Sequence, residues 1–327
     1  MNNIKTLGKF LDQPLLISKL NKKMPQIMTV GGALILSKIS YDSFSKNNDK
    51  KEAKKDILKK GIVLFSAIAS SLLAPKIAGK ITKRIPIKPM EDIKKLNSEL
   101  IDEFISKHNP NKEIQEILNK AKEKVLSFSE VKALISNLNN NESKNFINKL
   151  IPEPENIKAK DIFSEIGFLS IYGAIPVVGG IIGGITADNM AGDNCKKNLS
   201  NKISEGIYQY LANIFMCNIG AGLSLAILEK LNIKSKSARA IGMTTGIIAT
   251  GVLGGSKIAN MISKKIIQPF KKEKEDFHER KPEMLDLCLH TDDIATVSLL
   301  SGLKWIEPTL PILYSVSGYK AGIGYRN

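Results

Sequence analysis

Two stretches of this chain run without a charged residue for longer than a water-soluble helix ordinarily does. They are Ile166 to Ala187, 22 residues, and Gly206 to Leu228, 23 residues. A bilayer core about 30 Å thick needs about 20 predominantly apolar residues in an α-helix. Within lipid every backbone N–H and C=O must be bonded inside its own segment, which favours helix over loop or open strand. Three weaker segments accompany them: Ala240 to Ser256 (17 uncharged residues), Gly61 to Pro75 (15) and Met24 to Ser37 (14). The expectation is an all-α fold with a polytopic membrane domain of about five hydrophobic helices.

Residues 90–155 have another texture. Ile93, Leu96, Leu100, Ile101 and Phe104 recur at helical spacing, as do Ile114, Ile117, Leu118 and Ala121, then Val131, Leu134, Ile135 and Leu138, and last Phe146, Ile147 and Leu150. Asn111 is placed to cap the second helix, and Ser127 with Glu130 has capping-box spacing before the third. This pattern predicts a small soluble helical bundle inserted between hydrophobic segments. The domain reading is an amphipathic segment 1–23, a hydrophobic hairpin 24–89, the bundle 90–155, a membrane domain of three hydrophobic helices 156–270, and a basic linker with a broken C-terminal hairpin 271–327. In the first of these, Ile4, Leu7, Leu11 and Leu15 mark an interfacial face, broken near Pro14, and nothing there resembles a signal peptide.

The net charge is +16, from 48 basic residues, of which Arg84, Arg239, Arg280 and Arg326 are the arginines, against 32 acidic ones. The bundle holds ten basic and twelve acidic residues, so the excess lies beside the hydrophobic segments. Attraction to anionic lipid head groups, worth about 1 kcal/mol per well-placed lysine, is one account; a lysine-biased composition is the plainer one. No arginine stripe or aromatic platform supports nucleic-acid binding. Cys195, Cys217 and Cys288 have no metal-ligand spacing, so neither a metal nor another cofactor is expected. Basic loops fall on both sides of any simple span count, which leaves orientation open.

Small residues recur every fourth position in the hydrophobic runs. Gly179, Gly183 and Ala187 form one strip, Gly180 and Gly184 a second, and Gly242, Gly246 and Gly254 a third. Such strips let helix backbones approach closely, and they resemble glycine-zipper repeats over about a dozen residues. Packing within the chain is the first expectation, a homo-oligomer the second. Asp188 and Glu165 bracket the first run and read as interface residues. Lys76 to Ile85 resembles Lys257 to Ile266, an internal repeat that lysine and isoleucine bias alone would also produce.

Near the C-terminus, His290, Asp292 and Asp293 are the one polar group with acid, base or ligand chemistry. Thr291 as an N-cap, with both aspartates in the first helical turn, explains the same residues without chemistry. Trp305 reads as an interfacial anchor. The function expected is therefore a non-enzymatic integral membrane protein, cytoplasmic-membrane if bacterial, that scaffolds or assembles through small-residue helix faces. A transporter or channel is the alternative, followed by a membrane-associated enzyme using His290, Asp292 and Asp293.

Overall fold

The computed structural model describes the chain except residues 1, 48, 139–140, 153–157, 234, 268–278, 290–305 and 326–327. The described residues form helices and turns, with no strand among them. They divide into two compact units. One comprises the described parts of Met1–Met24, Pro86–Ile157 and Ala295–Thr309; the other comprises those of Pro25–Ile85, Lys158–Ile294 and Leu310–Asn327.

The first unit is built on α1 (Asn2–Leu11), the start of α2 (Pro14–Lys46), α4 (Met90–His108), α5 (Lys112–Glu123), α6 (Phe128–Asn137) and α7 (Asn141–Leu150). Ile101, Phe104, Ile114, Leu118, Val131, Leu134, Phe146 and Ile147 close a single apolar core. Its helix ends follow local rules. Asn111 accepts from the Ile114 N–H, and Ser127 and Glu130 complete their capping box. Asn109 ends α4 in the left-handed region at φ 40°. The N-terminal helix belongs to this core: Phe10 meets Phe128 edge-on at 6.3 Å. The buried Gln13 amide donates to the Leu126 carbonyl at 3.0 Å and accepts from the Leu126 N–H at 2.8 Å. Pro14 opens α2, where its missing N–H costs nothing.

The second unit contains the rest of α2, α3 (Lys50–Thr82), α8 (Ala159–Met190), α9 (Cys195–Tyr210), α10 (Cys217–Lys230), α11 (Lys236–Gly246), α12 (Ser256–Ile267), α13 (Met284–Cys288) and α14 (Leu310–Ile323). A π-helical stretch, Leu211–Met216, joins α9 to α10, and another, Ile247–Gly255, joins α11 to α12. Three helical segments are long and apolar enough to cross a membrane: Lys50–Thr82, Ala159–Met190 and Asn198–Lys230. At 1.5 Å per residue each is about 50 Å long, more than a bilayer core requires. The runs at 24–37 and 240–256 lie in long helices outside that set. Lys38 interrupts the first of these, and glycine and threonine dilute the second.

Helix α8 is the axis of this unit, packed between α3 and α14. Ion pairs tie the α3 segment to α8 at two levels: Lys59 of α3 with Asp188, and Arg84, just past the end of α3, with Glu165. The Arg84 guanidinium also lies 4.2 Å over the Phe168 ring. Helices α2 and α3 form a hairpin, with Ser43 donating to Asp56 at 2.6 Å and Leu36 seated against Gly61. The outward side chains of the unit are apolar, with Val30, Leu34, Phe65, Ile81, Val178, Ile182, Ile227 and Ile241 all more than half exposed.

Candidate functional site

The interior of the second unit inverts this pattern. Along α9 and its π-helical continuation, Glu205, Gln209 and Asn213 stand four residues apart and join into a ladder. Gln209 Nε2 donates to Glu205 Oε1 at 2.8 Å, and Asn213 Nδ2 donates to Gln209 Oε1 at 3.0 Å. All three side chains are buried. Asn213 falls near the middle of the Asn198–Lys230 segment, so the ladder runs from the edge of an uncharged stretch towards its centre. It sits in the π-helical stretch, and single π turns are frequent at functional positions.

Charges from two other segments meet the ladder. Arg280 Nη2 lies 3.1 Å from both oxygens of Asp286, and its Nε lies 3.4 Å from Glu205 Oε2. Asn213 Nδ2 and Lys320 Nζ each donate to Asp286 Oδ1 at 3.1 Å. Glu283 completes the group 3.5 Å from Lys320, and Tyr325 donates to it at 2.8 Å. Asp286, Glu205 and Arg280 are at most 1% exposed and Lys320 is 5% exposed. A buried charge is tolerated where it is paired and hydrogen-bonded, and here every one has a partner. Burial opposes the Arg280 charge, but Glu205 and Asp286 more than offset it and hold its pKa above the ordinary value. The Tyr325 phenol is likewise raised, chiefly by its hydrogen bond to Glu283. Two positive groups face three carboxylates, a local net charge of −1.

The cluster is held from outside itself. Asn260 on α12 makes two hydrogen bonds to the Arg280 backbone, at 2.8 and 2.9 Å, and fixes that otherwise non-helical segment. The guanidinium lies 4.7 Å over the Tyr208 ring and 5.2 Å over that of Tyr325. Asp286 also accepts from the Glu283 N–H at 2.9 Å. The arrangement joins three carboxylates, two amides and a phenol in one hydrogen-bonded group. Among the described residues, no three His, Cys, Asp or Glu side chains are grouped to hold a metal ion.

The glycines singled out by spacing lie apart from this cluster, at helix crossings. Gly180 faces Gly318 of α14 backbone to backbone, and Gly184 faces Gly322 and the Lys202 stem. Gly179 and Gly183 seat Ser70 and Ser66 of α3, and Ser66 donates to the Gly179 carbonyl at 2.7 Å. Gly246 meets Gly220 and Ser224 of α10, and Gly242 lies under Leu228. Gly254 has only its own helix beside it. His290, Asp292, Asp293 and Trp305 lie outside the described residues.

Asp188, at the end of the first uncharged run, is buried and paired. Lys202 donates to it at 2.7 Å and Asn198 at 3.1 Å, while Lys59 lies 2.9 Å away. Just beyond α8, hydrogen bonds from Lys55 and Lys59 hold the Asp193 carboxyl down at about 2. Sequence reasoning passed over Glu205, Gln209, Asn213, Arg280 and Asp286. Two signals were present: a polar residue at every fourth position into a long uncharged run, and an arginine where nearly every other cation is lysine. Comparison with protein-family models, with curated proteins and with solved structures finds no match.

Proposed function

We propose that this chain is a multi-pass integral membrane protein without a catalytic role, a scaffold with a water-facing helical unit and a membrane-embedded one. The observation that carries this reading is the contrast between the two surfaces. Among the described residues, the first unit exposes two large apolar side chains, Leu96 and Phe128, whereas the second exposes apolar side chains along α2, α3, α8, α10, α11 and α12. Apolar patches of that extent mark a lipid or partner surface. The small-residue faces of α8 are spent on α3 and α14, which supports packing within one chain as their role. Carbonate washing of membranes from cells expressing the full chain tests the reading. The protein should stay in the pellet and leave with detergent; release by carbonate would overturn it.

A second reading, coupling to proton or cation movement, is favoured by the ladder Glu205–Gln209–Asn213 and its charged cap. Ionisable groups inside membrane segments commonly mark such paths. In liposomes carrying the purified protein, pH-gradient decay should be faster than in empty ones and should slow with Glu205→Gln. Decay no faster than in empty liposomes removes this second reading and leaves the scaffold.

A further inference from the structure

We propose that the cavity where α3, α8, α9 and α14 meet is a binding site for a phosphate ester anion; its supply from an anionic lipid rests on the membrane reading above. The cavity has a volume of about 260 Å³. It lies where three uncharged runs end. Lys59 and Lys60 precede the run that starts at Gly61, Asp188 follows the run that ends at Ala187, and Asn198 to Lys202 precede the run that starts at Gly206. In a bilayer that is the depth of lipid phosphates, and basic pockets between spanning helices at this level take head groups.

The donors are in place and partly unspent. An ammonium group has three N–H donors. Among the described residues, Lys202 Nζ spends one on Asp188, yet its side chain is 5% exposed. Leaving buried donors without an acceptor is costly, so an acceptor in the cavity stabilises this arrangement. Lys60 donates to Asp56 at 2.6 Å and Lys59 bridges Asp188 and Asp193, and both line the cavity together with Lys202. Asn201 adds an exposed amide to the lining. Three lysines against Asp56 and Asp188 leave the lining at +1, the complement of a phosphodiester. A cation would meet net repulsion, and a neutral solute would leave that charge unanswered.

Glycines let the elements that line the cavity close on one another. A side chain on Gly184 would strike the Lys202 stem, and one on Gly322 would meet the Gly180 carbonyl and Val63. Gly324 turns the chain away from the end of α14 at φ +65°. The Lys202 stem thus lies over Gly184 while its head reaches the polar end of the cavity, a snorkelling geometry.

The test is calorimetric titration of the full chain, purified in a non-ionic detergent, with dihexanoyl phosphatidylglycerol, inorganic phosphate and acetate as separate probes. Saturable binding of the lipid is expected, weakened about tenfold or more by Lys60→Gln. The double variant Lys202→Met with Asp188→Asn removes the buried pair together, so no lone charge is left to unfold the protein, and it should weaken binding likewise. Binding of inorganic phosphate without the lipid supports the site and assigns a free phosphate to it. No saturable binding of either, acetate bound as tightly, or unchanged binding by both folded variants overturns the proposal. Because the titration is run in detergent, carbonate release of the protein with phosphate binding intact would remove the membrane reading and keep the site.

Discussion

At Arg280 one guanidinium faces two buried carboxylates, both oxygens of Asp286 through Nη2 and Glu205 through Nε. Arg280→Met would leave both carboxylates with less than their charge requires in a dry interior. Breaking such a pair costs about 3–5 kcal/mol, so thermal unfolding in detergent should shift down sharply. Arg280→Lys restores the charge but cannot reach both carboxylates through separate nitrogens, and it should recover part of that loss. A matching midpoint for Arg280→Met and the parent would show that the cluster contributes nothing. At Asp193 the sign differs. Its carboxyl is held at about 2, below the ordinary 3.8, so its contribution to stability is full above the unfolded value and is lost as pH falls from about 4 through about 2. Unfolding midpoints of the parent and of Asp193→Asn should therefore differ at pH 5 and converge only below about pH 2.

At the scale of elements, close helix crossings separate glycines whose Cβ position is filled from those where it is open. A methyl group on Gly180 would run into the Gly318 carbonyl, which belongs to backbone and cannot swing aside. On Gly31 the same methyl meets nothing within 4 Å. Gly180→Ala should therefore destabilise the protein, while Gly31→Ala should leave it unchanged or raise stability by about 0.5–1 kcal/mol through helix propensity. Thermal denaturation of both variants in one detergent is the measurement, and equal behaviour would refute the assignment of the α8–α14 crossing. The helix starts of the first unit needed no such context. Asn111, Ser127 and Glu130 were legible because a cap bonds within four residues of itself. The π-helical stretches were not legible, because nothing local distinguishes Leu211–Met216 from an ordinary turn of apolar helix.

For the whole molecule, the expected outcome is partition of the two units between lipid and water. A lipid-phase photolabel such as iodonaphthyl azide, applied to membranes and mapped by mass spectrometry, should mark peptides carrying Phe65, Val178 and Ile182. Peptides carrying Leu96 and Phe128 should remain unlabelled. Equal labelling of both sets would contradict the contrast between the two surfaces. The prediction belongs at this scale because no single side chain decides it: scattered exposed apolar residues are ordinary, and a surface made of them is not.

The sequence by itself determined the helices and their apolar runs, since charge-free length and periodicity are properties of consecutive residues. It also determined which glycines could lie at crossings, because four-residue spacing sets them on one helix face. It did not determine what they cross. The 271–327 region read as a basic linker with a broken hairpin; what that reading left out is that α14 supplies Gly318 and Gly322 to α8, and that Arg280, Asp286 and Lys320 enter the interior of the unit. That outcome depends on pairing across 75 residues between Glu205 and Arg280, where a preference of each buried charge for the other offsets part of the hydration both have lost. A preference of that kind has no local signature, so only the tertiary structure could place charge inside a unit whose surface is apolar.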